Sequence, residues 1–499
     1  MHLNLGTILQ ASEHEHPERV VLRLGDFTMT YAQLARAARG VARGLRERGV
    51  EPGDTVAVLI PNVPEFVIAY YGILYAGATV VPINVLAAAP EVAYFLRDAS
   101  AKLLVAHPLF AAVGQAGAAE AGVECLVSSG EGDTLVGLAH GPECDDVALT
   151  ESTATAVILY TSGTTGKPKG AELTHSNLFL NCAFVAPRLF PMQRGEMNAL
   201  ATLPLFHSFG QQCIMNASIA MGGSFSLLPR FEPGAAFEII ERDRINVFAG
   251  VPTMYFGLLH HEGGERFDVS SLRFCLTGGA PMPVEVLHEF EKRFGIPVQE
   301  GFGLSETSPV ASFNVVDKPR KPGSIGYPVW GVEMCIMDDE GRQLPDGERG
   351  EICIRGHNVM KGYLGRPEAT AESIRDGWFH SGDIGYRDED GCYFIVDRKK
   401  DMILRGGFNV YPREVEEVLY AHPAVAEAAV IGVPHPTHGE EVKAFVAFAP
   451  GQSASEDEIV AWCKERLAAY KYPRIVRVIA EIPKGPSGKL LKRELRDLD

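Results

Sequence analysis

Along residues 30–105 the apolar positions change rhythm in a regular way. Leu34, Ala38, Val41 and Leu45 recur three or four apart, the spacing of a helix with one buried face. A helix is therefore predicted from Thr30-Tyr31-Ala32-Gln33-Leu34 towards Arg48. Thr55-Val56-Ala57-Val58-Leu59-Ile60 is instead a short unbroken apolar run, the pattern of a strand buried on both faces. A second helix over 64–76 and a second apolar run over 79–83 follow, and the same rhythm returns around 154–160, 223–228 and 272–277. Strand–helix–strand alternation implies a parallel sheet. The expected fold class is α/β, with a large N-terminal region of several subdomains built on parallel-rich sheets.

The pattern shifts near 397–401. Asp388-Glu389-Asp390-Gly391 reads as a turn between two strands. After Lys399-Lys400-Asp401 comes a small α+β pattern. Pro412 starts a helix with Val415, Val418 and Leu419 on one face, and Ser455 with Glu458 makes a capping box ahead of a helix reaching Tyr470. We expect an N-terminal domain over 1–397 and a C-terminal domain over 398–499, the latter, at about a hundred residues, large enough for its own core.

Composition narrows the class. A chain of 499 residues with 46% hydrophobic and 22% charged positions is an ordinary globular protein of more than one domain. No apolar run approaches the roughly 20 residues that cross a bilayer, and the first residues lack the basic and apolar blocks of a signal peptide. Nine cysteines without a C-x-x-C pair suit reduced thiols rather than disulfides or zinc, and a cytoplasmic protein is expected. A net charge of −17 argues against nucleic acid as a partner. The expected partners are small molecules, and a homodimer is compatible with the chain.

Tyr160-Thr161-Ser162-Gly163-Thr164-Thr165-Gly166-Lys167-Pro168-Lys169-Gly170 follows an apolar strand and packs three glycines and two lysines among hydroxyls. Glycines let backbone N–H groups converge on one anion, while hydroxyls and lysines add hydrogen bonds and charge. The segment suits a polyphosphate. It is not a Walker A loop, which would need glycine at 161 and Ser or Thr at 168; this chain has Thr161 and Pro168.

The same segment resembles the signature of the adenylate-forming (AMP-binding) superfamily, and further motifs follow in that family's order from Tyr31 to Lys489. The resemblance implies ATP, Mg²⁺ and coenzyme A as co-substrates and cofactor. Gly301-Phe302-Gly303-Leu304-Ser305-Glu306-Thr307 is similar to its aromatic-glycine segment. By that likeness Phe302 stacks near adenine between Gly301 and Gly303, Ser305 contacts the α-phosphate and Glu306 holds magnesium; Ser305 and Phe302 replace the more usual Thr and Tyr. Asp383 in Trp378-Phe379-His380-Ser381-Gly382-Asp383 would accept the ribose hydroxyls, with Arg398 beside it. Lys400 in Asp397-Arg398-Lys399-Lys400-Asp401 is the implied hinge. Lys489 in Pro483-Lys484-Gly485-Pro486-Ser487-Gly488-Lys489 is the implied catalytic lysine, bridging the acid's carboxylate and the α-phosphate. Gly406 and Gly407 would line the pantetheine tunnel, although Leu404 and Arg405 stand where many relatives carry a lysine. Lys492, Arg493 and Arg496 form either a solvated helix face or contacts to CoA phosphates.

His207 and Phe209, in Leu205-Phe206-His207-Ser208-Phe209-Gly210, match the mouth of the family's acyl pocket. Gly278 and Gly279, in Thr277-Gly278-Gly279-Ala280-Pro281, would form another wall, with Gly279 and Ala280 reaching the nucleotide side. An α-amino acid would need a buried carboxylate near His207 to pair its ammonium group, and Ser208, Phe209 and Gly210 supply none. The region resembles fatty-acyl-CoA ligases most, with aryl acids as the main competitor. The implied activity is an ATP-dependent acyl-CoA synthetase acting through an acyl-adenylate. Rivals are an adenylating enzyme that loads a carrier protein, a luciferase-type oxygenase and a non-catalytic nucleotide sensor.

Overall fold

The computed structural model describes residues 1–130, 133–144, 146–161, 167–315, 317–485, 488, 490–496 and 498. Among these residues the strands form four sheets. In the nine-stranded sheet, Val298–Gly303, Phe274–Thr277, Val247–Gly250, Asn198–Ala201, Ser224–Leu227 and Val20–Leu24 run parallel in that order. Antiparallel strands close both edges. The seven-stranded sheet is parallel from Thr155–Thr161 through Thr79–Pro82, Thr55–Leu59 and Leu103–Ala106 to Glu124–Val127. The expected α/β class with parallel-rich sheets holds.

The helices between the sheets obey the apolar spacing. Tyr31–Glu47 starts at Thr30, whose hydroxyl and the Gln33 side chain form a reciprocal capping box. It buries Leu34, Ala38, Val41 and Leu45 completely. Pro64–Ala76 is apolar all round and buried along almost its whole length, as expected for a helix inside a large core. It stops at Gly77, at φ 85°, where a left-handed C-cap favours glycine.

A five-stranded antiparallel sheet carries Gly350–Gly356, Trp378–Arg387 and Tyr393–Arg398. The Asp388–Gly391 turn joins the last two strands as the sequence predicts. From Ile403 a separate five-stranded sheet begins, with its own core of Ile403, Val410, Val415, Leu419, Val430, Val446 and Ile459. Pro412–Tyr420 is helical as expected. The helix capped by Ser455 ends at Arg466 rather than Tyr470, because Leu467 turns extended and, with Tyr470, folds back onto this second core. Helix Pro412–Tyr420 also ties the two regions together. The Arg413 guanidinium donates to the Ile395 carbonyl at 2.8 Å, its N–H to Asp397 at 2.8 Å, and Glu417 accepts from the backbone N–H of Val284. No helix among the described residues is long and apolar enough to cross a membrane.

Thr30→Ala removes the reciprocal cap of the first long helix. It should cost about 1 kcal/mol of stability, read as a lower denaturation midpoint with an unchanged denaturant slope.

Candidate active site

The strand Thr155–Thr161 delivers the phosphate-loop motif at its C-terminal end, and the strand Val298–Gly303 of the other large sheet delivers Gly301, Phe302 and Gly303. Ligands gather at such strand ends in open α/β sheets. Ser162, Gly163, Thr164, Thr165 and Gly166 lie outside the described residues, as does Lys489. The flanks of the loop are described. Thr161 Oγ1 donates to the Glu306 carboxylate at 3.1 Å, and the Tyr363 hydroxyl donates to the same oxygen at 3.0 Å. Glu306 is buried, so these two hydroxyls hold its carboxylate where the sheets meet. Burial and the Glu306 charge push the Tyr363 phenol well above its ordinary range, which keeps it a donor. Lys169 lies 5.2 Å over the Tyr363 ring and Lys167 5.4 Å over the Tyr94 ring, each a cation on an aromatic face. Carboxylate and hydroxyl oxygens are the donors a hard divalent cation takes, so the residues present fit Mg²⁺.

Glycine is required beside Glu306 for steric reasons. A Cβ on Gly303 would run into the Pro309 carbonyl, and one on Gly301 would meet the Phe313 ring at 2.5 Å. The segment is further pinned by Thr307 Oγ1, which donates to the Pro309 carbonyl at 2.6 Å. Phe302 and Ser305 are half-buried between these anchors.

The pocket residues converge from three segments. A Cβ on Gly278 would stand 3.1 Å from the Gly301 carbonyl and 3.6 Å from the Phe209 ring, so Gly278, Gly301 and Phe209 share one wall. Gly279, at φ 79°, and Ala280 follow on the more open side. His207 accepts the Phe209 N–H through Nδ1 at 3.2 Å. Asn62 anchors this loop: its amide donates to the Ala201 and Leu203 carbonyls and accepts from Leu205 N–H at 2.9 Å. Behind the wall, two π-helical stretches, Asn181–Val185 and Phe209–Asn216, flank an apolar cavity of roughly 20 Å³ lined by Val185, Leu189, Cys213, Leu276, Val310 and Phe313. The Asn181 and Gln212 amides at its edge are spent on the Val310 and Leu178 carbonyls. π-Helical turns often mark functional sites.

Asp383 is buried and sits opposite Arg398 in the ladder, with Arg398 Nε 3.2 Å from its carboxylate. Lys400 is exposed just beyond. Gly406 and Gly407, at φ 57° and 83°, form the exposed turn between Ile403–Arg405 and Phe408–Val410; Gly406 N–H bonds to the His438 carbonyl within the C-terminal region. Arg405 is paired with Glu441 through two contacts, at 2.5 and 2.9 Å. Gly488, next to Lys489, reaches the N-terminal region: its carbonyl accepts from Thr253 Oγ1 at 3.3 Å, and a Cβ there would meet Val251 at 2.8 Å. Val251 follows Gly250, which is paired with Thr277 ahead of Gly278. Gly488 therefore lies beside the strand ends that lead into the Gly278 wall.

Sequence reasoning missed Tyr363, Asn62 and Glu300. Glu300 precedes Gly301 and is buried; one oxygen accepts from Met282 N–H at 3.3 Å, and the other has no partner among the described residues. Burial pushes its carboxyl up to about 7, opposed by the nearby Arg413 charge.

A buried carboxylate held by two hydroxyls where two parallel sheets meet, beside a histidine loop, is in keeping with the adenylate-forming acid–thiol ligase that the motifs imply. The AMP-binding enzyme family matches residues 9–364 and its C-terminal domain residues 414–489, and the chain belongs to that family. A long-chain-fatty-acid–CoA ligase of Bacillus subtilis (strain 168) is 38% identical over 98% of this chain and 94% of its own. A feruloyl-CoA synthase of Amycolatopsis sp is 41% identical over 96% of each chain. The crystal structure of the anthranilate CoA ligase AuaEII in complex with anthranoyl-AMP superposes with a TM-score of 0.95 at 29% identity, covering 100% of this chain and 97% of that one. As in the family generally, ATP and CoA are co-substrates and Mg²⁺ the metal.

The raised pKa of Glu300 fixes a sign. A carboxyl that titrates near 7 when folded and near 4.5 when unfolded favours the fold below the unfolded value, and that contribution is lost as pH rises through 7. Glu300→Gln should therefore gain melting temperature over wild type as pH rises from 5 to 8. A difference that shrinks over that range would refute the buried, unpaired placement.

Proposed function

We propose that the chain is a cytoplasmic acyl-CoA synthetase that converts a medium- or long-chain fatty acid, ATP and CoA into acyl-CoA, AMP and diphosphate. The observation that carries the reading is the contact of Gly488, the residue before Lys489 in the chain, with Val251 and Thr253, beside the strand end that leads to the wall of Gly278, Gly301 and Phe209. The apolar lining of the cavity, with both edge amides already bonded, supports an acid with a hydrocarbon body. At roughly 20 Å³ it has room for little more than one water, so the acid enters by displacing side chains of the two π-helical stretches. All nine cysteines are free, in keeping with a reducing compartment.

In the first half-reaction a carboxylate oxygen of the acid bonds to the α-phosphorus of ATP, and diphosphate leaves with the electron pair of the broken bond. Lys489 lies between the two anions and offsets their repulsion in the transition state. Residues 160–170 hold the β- and γ-phosphates, Phe302 and Ala280 flank adenine, Ser305 meets the α-phosphate, and Asp383 with Arg398 holds the ribose. Glu306 and the neighbouring Thr161 hydroxyl would hold Mg²⁺, which supplies countercharge to the phosphates. We assign 1–397 to the adenylation domain and 398–499 to a mobile domain that pivots at Lys400. After the pivot Gly406 and Gly407 line the path of the CoA thiol, which attacks the acyl carbonyl and releases AMP. Hinge rotation of this kind is an established switch. The 41% identity with a feruloyl-CoA synthase favours a second reading, an aryl acid.

Two measurements test this. Lys489→Ala should slow adenylate formation about 100-fold or more and largely spare thioester formation from supplied acyl-AMP, while Lys400→Pro does the reverse; equal loss of both half-reactions in both variants would sink the two-state scheme. Diphosphate release over a panel of fatty and aryl acids should peak with a medium or long fatty acid. A peak with ferulate or benzoate would replace the first reading by the second.

A further inference from the structure

Glu351 lies at the start of an irregular stretch in the ladder between Gly350–Gly356 and Trp378–Arg387, where the register shifts between Glu351 and Cys353. Its buried carboxylate turns back over that shift, and Oε1 accepts the Gly382 N–H at 2.9 Å. Gly382 stands at φ 73°, a left-handed conformation that needs outside support to persist. Its carbonyl accepts the backbone N–H of Lys399 at 2.9 Å. Gly382 is thus gripped through both its backbone groups, its N–H by Glu351 and its carbonyl by the residue before Lys400. Asp383 is the next residue.

The surroundings of Glu351 suggest a metal site at first sight, since Glu351, Cys353 and His380 offer ligand atoms within 4.8 Å of one another. The cations present argue otherwise. His380 Nδ1 stands 2.6 Å from Arg375 Nη2 and 3.1 Å from the Glu351 carboxylate, so this nitrogen is already engaged by side chains. Arg375 also lies 3.8 Å from the Glu351 carboxylate, and Lys399 Nζ 3.9 Å from it. Arg375 and Lys399 already bring positive charge to this carboxylate, and burial pushes the Cys353 thiol far above the range in which it ionises.

We propose that Glu351 is a positioning residue for the nucleotide: by holding the Gly382 N–H it fixes the Asp383 carboxylate against the ribose and, through the Gly382 carbonyl bonded to Lys399 N–H, steadies the backbone just before Lys400. The inference rests on the reading of Asp383 as the ribose acceptor, and the test separates the two. The steady-state selectivity (kcat/KM) for ATP over 2′,3′-dideoxy-ATP reports the ribose contacts alone. Wild type should favour ATP strongly; indifference between the two nucleotides would overturn the ribose reading itself. Glu351→Ala should cut that preference about tenfold or more, as loss of one charge-assisted hydrogen bond does, with KM for the acid within twofold of wild type. Glu351→Gln retains an oxygen for Gly382 and should restore the preference to within about threefold. If the alanine variant does not fold, Glu351→Asp, which falls one methylene short of Gly382, carries the same expectation. A wild-type nucleotide preference in a folded Ala or Asp variant, or a Gln variant as impaired as they are, would overturn the role of Glu351, because a purely structural residue would alter yield and melting temperature without touching the choice between nucleotides.

Discussion

The Glu306 carboxylate is the constraint on which the arrangement depends. It sits on the turn Ser305–Thr307 between two strands of the nine-stranded sheet, and both hydroxyls that hold it, on Thr161 and Tyr363, come from the seven-stranded sheet. A buried carboxylate left without donors costs several kcal/mol, so the two sheets can approach only in the register that satisfies it. That register sets the strand ends carrying the phosphate loop, the Gly301–Gly303 turn and the Gly278 wall around one cleft. Lys169 over the Tyr363 ring places positive charge on the same seam without neutralising the carboxylate.

The C-terminal region meets this cleft through a few specific contacts. Arg413 and Glu417 fasten its first helix to the N-terminal region by backbone hydrogen bonds, and Gly488 touches Val251 and Thr253 at the rim. Asp383 and Arg398 pair in one antiparallel ladder of the five-stranded sheet, while Gly406 and Gly407 are exposed beyond it. The C-terminal region thus has one surface engaged, at Gly488, and another, at Gly406 and Gly407, in solvent.

Much of the fold was legible because its signals are local. The period of Leu34, Ala38, Val41 and Leu45, the Thr30 and Ser455 caps and the unbroken run at Thr55–Leu59 each act within a few residues, and each reappears in the structure. Motif likeness located Thr161, Glu306, Phe209 and Gly278, and the fold brings them into neighbouring contacts. Tyr363, Asn62 and Glu351 gave no local sign. Tyr363 reaches Glu306 across 57 residues and Asn62 reaches Leu205 across 143, so their roles exist only once the sheets are assembled. The π-helical stretches also escaped notice, since their extra residue leaves the apolar pattern of a helix intact. The helix after Ser455 was read too long because Leu467 and Tyr470 continue its apolar character while packing from an extended turn.

The central claim is that a carboxylate oxygen attacks the α-phosphorus of ATP and departs with AMP when the thiol takes the acyl group. Supplying an acid labelled with oxygen-18 in both carboxylate positions, with ATP and CoA, and weighing the released AMP by mass spectrometry tests it directly. The account predicts AMP carrying one labelled oxygen and unlabelled diphosphate. Unlabelled AMP, or label appearing in inorganic phosphate beside ADP, would contradict it.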